Sequence, residues 1–139
     1  MTAVAVRVRG LRDFQRALKT MDTELPKALR MALNTAGDVV VSDARPRVPR
    51  RHGRARSSVR ARSTQKQVRV VGGGNKAPYY PWLDFGGRVG RSRSIHRPYI
   101  SPHGRYIYNA YFRRRREFVD ALEESLVDVA RAAGVEVGN

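Results

Sequence analysis

The chain predicts an α+β fold, a small antiparallel sheet packed with helices, on three observations. Residues 3–9, AVAVRVR, set Val4, Val6 and Val8 against Ala and Arg, the period of a half-buried strand. Residues 57–74, SSVRARSTQKQVRVVGGG, alternate again, with Val59 and Ala61 before a polar STQK turn and Val68 and Val70 after it. That pattern is a hairpin. The remaining apolar residues recur mostly at three and four positions, the spacing of helices that bury one face.

Taken in order, Gly10 ends the first strand and the period changes at once. Leu11, Phe14, Leu18 and Met21 form one stripe; Leu25, Ala28, Ala32 and Val39 form the next. Thr23 followed by Pro26 marks a fresh start, because proline fits a first turn and not a helix interior. The reading is a helix at 11–21 and a longer one at 24–44. Pro46 and Pro49 stop the second helix. After the hairpin, Gly72–Gly74 are a flexible exit. Residues 86–105, rich in Gly, Arg and Ser, predict a long loop with at most one short strand near Arg97–Ile100. Ile107, Tyr111, Phe118, Leu122, Leu126, Val129 and Ala133 then predict one closing helix over about 104–133, capped by Gly134.

A length of 139 residues suits one domain, 1–139, with arginine-rich loops at about 45–57 and 86–105. The absence of cysteine excludes disulfides and thiolate metal sites. No apolar run approaches the ~20 residues that cross a bilayer, and MTAVAVRVRG lacks the form of a signal peptide. The expectation is a soluble protein made in a cytoplasm.

Net charge is +16, and its placement is uneven. Residues 44–116 hold 20 Lys and Arg against one acid, Asp84, while the rest holds 8 basic and 11 acidic residues. Nucleic acid or an acidic protein surface is the partner class this suggests. Arginine outnumbers lysine 24 to 4, so a GC-rich coding sequence accounts for part of the excess.

Catalytic patterns find no support. His52, His96 and His103 lie in basic segments without a carboxylate at a useful spacing. Recruiting Asp84 into a Ser–His–Asp set would lack any nucleophile motif. Arg47 to His52 matches an R-x4-H spacing, but Pro49 breaks the helix such a pair needs. GGGN at 72–75 has no Gly-Lys-Ser/Thr after it and is no phosphate loop. No cofactor or metal is expected.

Two basic runs are candidates for a partner surface. One is the 45–62 segment with eight arginines, including Arg45, Arg47, Arg50, Arg51, Arg54 and Arg56; it has no aromatic to stack on a base. The other is Arg113–Arg116, whose four positions wrap most of a helix circumference. One of these arginines must then snorkel over the core, or that turn is wrapped by neighbouring subunits. Arg91 and Arg93 extend the basic surface.

Between the runs sits YYPWLDFGG, residues 79–87. Pro78 and Pro81 suggest extended backbone, with Trp82 and Phe85 as apolar anchors and Gly86–Gly87 free to take positive φ. Asp84, alone among arginines, predicts a two-pronged pair with a guanidinium of its own chain or of a neighbour.

Three short motifs in order then resemble the tail-component or neck protein family of long-tailed bacteriophages. They are Pro49, Gly53 and Ser58; Tyr80, Asp84, Phe85 and Gly86; and Arg97, Pro98, Tyr99, Ile100 and Pro102. Arg54–Ala55–Arg56 departs from the small-Leu-Arg usual before the serine, and the 87–96 loop is unusually rich in arginine. The resemblance implies a structural virion protein of the head–tail connector: a homo-oligomeric ring, six copies on a sixfold tail, that meets other connector and tail proteins. It also implies that packaged double-stranded DNA passes it without sequence-specific contact. On this reading Trp82, Asp84, Phe85, Gly86, Arg97, Pro98 and Tyr99 serve assembly. A tail terminator ring protein and a basic nucleic-acid-binding protein are the alternatives.

Overall fold

The structure, a computed structural model, describes residues 2–7, 10–21, 25–50, 53–100 and 102–134, with the side chains of 2–7 and 18–21 outside that description. Strand β1 (Thr2–Arg7) leads into helices α1 (Leu11–Met21) and α2 (Leu25–Ala44), close to the ranges the periodicity predicts. Pro26 sits in the first turn of α2, where its missing N–H removes no helical bond. A 3₁₀ turn (Arg45–Arg47) and a one-turn helix α3 (Arg54–Ser58) follow, then β2 (Arg60–Ala61) and β3 (Gln67–Gly72).

The sheet is antiparallel in the order β1-β3-β2, with Val4 opposite Val70 and Ala61 also opposite Val70. Helix α2 is the organising element, lying against both the sheet and the closing helix. Its Leu29, Leu33, Ala36, Val40 and Ala44 are buried, and Gly37 rests over Ala61, Val68 and Val70. Fully burying a Leu or Val side chain contributes about 1.5–3 kcal/mol, so this seam holds the fold.

Three parts of the second half depart from the sequence reading. Residues read as extended form helix α4 (Tyr80–Phe85), with Pro81 in its first turn. The segment read as a loop carries a second antiparallel pair, β4 (Gly87–Val89) with β5 (Ile95–Arg97), around a 3₁₀ turn at Arg91–Arg93. The closing helix is two helices, α5 (Ile107–Arg113) and α6 (Arg115–Ala132), broken at Arg114. The break removes the conflict of wrapping four arginines round one packed helix: all four side chains reach solvent while Phe118, Leu122 and Val129 of α6 bury against α2. No described helix is long and apolar enough to cross a membrane.

Candidate functional site

Asp84 is the centre of a heavily hydrogen-bonded site. Helix α4 carries Tyr80 and Asp84 one turn apart, and both are buried, at 0% and 1% exposure. The Tyr80 hydroxyl donates to Asp84 Oδ2 at 3.0 Å. The backbone N–H groups of Arg105 and Tyr106 donate to Oδ1 at 2.7 and 3.1 Å. No guanidinium touches the carboxylate among the described residues, so the expected arginine fork is replaced by neutral donors. The physical reason is burial: two arginine N–H groups would need desolvating, whereas a phenol and two amides arrive already inside the fold.

Arginines hold the rim of this site through main-chain oxygens. Arg105 Nη1 donates to the Asp84 carbonyl at 3.1 Å, and its Nη2 donates to the Pro98 carbonyl. Arg97 Nε donates to the Leu83 carbonyl at 3.0 Å, its Nη2 donates to the Tyr106 hydroxyl at 2.7 Å, and its guanidinium lies 5.7 Å from the Trp82 ring centre. Trp82 Nε1 donates to the Gly87 carbonyl at 3.0 Å, and the Ile100 N–H donates to the Phe85 carbonyl at 2.8 Å. Two glycines make the closure possible. Gly86, at φ 91°, sits where a Cβ would overlap the Pro98 carbonyl; Gly104, at φ 73°, sits where one would overlap Asp84 Oδ1. Burial first, then the Asp84 charge and hydrogen bond, hold the Tyr80 phenol far above its ordinary pKa, so it stays protonated and donating.

Residues 12–86 match the family model described as "Bacteriophage HK97-gp10, putative tail-component". The chain belongs to that family. No curated protein and no solved structure gives a significant match. In this tail component the matched region runs from α1 to the glycine that follows α4, so it includes Tyr80, Asp84, Phe85 and Gly86. It stops short of Arg97 and Pro98, which close the site from the other side.

A second buried acid, Asp43, joins the end of α2 to the α5–α6 break. Arg113 Nε lies 2.9 Å from Oδ2, Arg114 Nε 3.5 Å from Oδ1, and Arg47 Nη2 3.8 Å from Oδ1. Arg114 also pairs with Glu117 at 2.8 Å. Sequence reading passed over Asp43; its spacing of four from Arg47 on a helix end was the available signal.

The other arginines singled out by sequence divide into internal and external groups. Arg45 Nε donates to the Val59 carbonyl at 2.7 Å, and Arg56 Nε to the Val48 carbonyl at 3.1 Å, so both act as braces. Arg50, Arg54, Arg91, Arg93, Arg115 and Arg116 are exposed, and none has an ion-pair partner among the described residues. Arg51 lies outside the described residues. Tyr99 is 68% exposed and Pro98 is exposed, whereas Trp82 and Phe85 are half-buried. An apolar groove of about 440 Å³, lined by Pro49, Ala55, Tyr79, Trp82, Val89 and Ile95 among others, opens between α3, α4 and the β4–β5 pair. No cluster of metal-ligating side chains occurs among the described residues.

Proposed function

We propose that this tail component is a structural protein of the head–tail connector. It forms a closed ring, six copies round, that joins or completes the tail at the head and lets the DNA through. The family match over residues 12–86 carries this reading. It supports a location in the virion and a structural rather than a catalytic role.

Charge segregation supports assembly by unlike surfaces. Helix α6 exposes Asp120, Glu123, Glu124 and Asp128, none of them ion-paired among the described residues, with Val119 40% exposed among them. The apolar groove has Arg54 in its wall, and exposed Arg91 and Arg93 belong to the same β4–β5 pair as its Val89 and Ile95. A ring by head-to-tail contact sets one such surface against the other on the next copy. The Asp84 site is then the support that fixes groove and pair to the core.

Imaging of intact particles tests the reading. The expected density is a ring of this chain at the neck. A single copy, or none at the neck, would contradict it.

A further inference from the structure

We infer that the concavity bounded by the start of α1, the first half of α2 and the β2–β3 turn binds the phosphate backbone of duplex DNA. Its volume is about 1420 Å³, and Arg12, Arg30, Arg62, Lys66 and Arg69 line it. No carboxylate of the described residues lines it: Asp13 and Asp38, on the same helices, are not in its wall. None of the five cations has an ion-pair partner among the described residues, and four of them are exposed. Five unpaired positive charges around one hollow repel one another, and an anion relieves that repulsion.

The hollow is built rather than incidental. Asn34 Oδ1 on α2 accepts the Ser63 N–H at 2.7 Å, and Ser63 Oγ accepts the Arg69 N–H at 3.1 Å. The turn is closed by the Thr64 N–H to the Gln67 carbonyl and by the Lys66 N–H to Thr64 Oγ1. Gln15 Nε2 donates to Gln65 Oε1 at 3.2 Å, tying the turn to α1. The turn that carries Arg62, Lys66 and Arg69 is therefore fixed to both helices that carry Arg12 and Arg30.

Its chemistry favours the phosphate backbone of a duplex over a protein surface or a single strand. Apart from Gly10 and Ala61, the rest of the wall is Asn34, Ser63, Thr64, Gln65 and Gln67, polar side chains of the kind that bind phosphate oxygens. Among the described residues no aromatic or methionine lines it, so they offer neither the anchors of a protein interface nor the stacking platforms of a single-strand site. From Asn34 to Asp43 is about 13 Å along α2, so the hollow, on the first half of that helix, is separate from the Asp43 cluster at its end. This deepens the connector reading by naming the face that meets DNA in passage. The test uses the free subunit, so its failure leaves the ring intact as a hypothesis, and a missing ring leaves DNA binding intact.

Fluorescence anisotropy of a labelled random-sequence duplex against salt is the measurement. Five phosphates neutralised give a log–log slope of about −4.5, an affinity loss of about 500-fold for a fourfold rise in salt. The triple variant Arg62→Gln/Lys66→Gln/Arg69→Gln should lower that loss to about tenfold. Lys76→Gln/Arg88→Gln/Arg131→Gln removes equal charge from exposed sites elsewhere and should leave the slope near that of the wild type; circular dichroism checks the fold of both. Equal effects of the two triples would reduce binding to bulk charge and overturn the proposal. Displacement of the duplex by inorganic phosphate at matched ionic strength would make the hollow a small-anion site. Sedimentation showing that the first triple loses self-association but keeps its DNA affinity would assign the hollow to a second copy.

Discussion

Asp84 and Asp43 are both buried acids in a chain of net charge +16, and they are held by opposite means. Asp84 accepts from a phenol and two backbone amides, the phenol and the Tyr106 amide buried and the Arg105 amide partly so. Asp43 faces three guanidiniums whose side chains remain 38–54% exposed. Buried neutral donors cannot turn to water when the acceptor is lost, whereas solvated guanidiniums can. The two sites therefore differ in what their loss costs and in how that cost responds to salt. Asp84 unites α4 with the 98–106 connection and so positions the groove; Asp43 clamps the α5–α6 break onto α2.

Asp84→Ala should have the largest effect. It strands the Tyr80 hydroxyl and two amides, each costing about 1–3 kcal/mol, and about 4 kcal/mol together is a reasonable sum for coupled groups. That is a large part of the roughly 5–15 kcal/mol that holds a domain, so the denaturant midpoint should fall far below that of the wild type while a folded baseline remains. Full retention of the wild-type midpoint would show that the site is not structural.

Tyr80→Phe comes next, and its signature is in pH. The folded phenol is raised above the ordinary value near 10, so its contribution is complete below that pH and is lost as pH climbs toward the folded pKa. Wild-type stability should fall above about pH 10 by up to ~1.4 kcal/mol per unit more steeply than that of Tyr80→Phe. Thermal melts of the two proteins across that range are the check, and parallel curves would deny the phenol's raised pKa.

Much of this was legible in sequence. The period of two found the hairpin, and the three-four spacing found α1, α2 and the closing helical region. Asp84 drew attention as the lone acid among 20 cations. Its partners were hidden because Arg105 and Tyr106 contribute main-chain N–H groups from 21 and 22 residues away, which no side-chain pattern announces. Helix α4 was missed because Pro78 and Pro81 were read as extending the chain, although a first-turn proline is compatible with a helix. The β4–β5 pair escaped because its strands are three residues long and mostly exposed, with Ser92 and Arg93 taking the positive φ that glycine would have signalled. The basic hollow at the β2–β3 turn was invisible for another reason. Its cations lie at 12, 30, 62, 66 and 69, so the density of arginines along the chain differs from their density in space.

The smallest effect is expected at Asp43, where Asp43→Ala should cost about 1 kcal/mol at low salt, because its guanidinium partners regain water. Urea unfolding of both alanine variants against salt tests this difference from Asp84 most directly. Raising ionic strength from about 0.05 to about 1 M shortens the screening length to about 3 Å. The Asp43→Ala penalty should shrink toward zero while the Asp84→Ala penalty stays unchanged within error. Two penalties that shrink in parallel would mean that arginine charge, rather than neutral hydrogen bonding, holds Asp84.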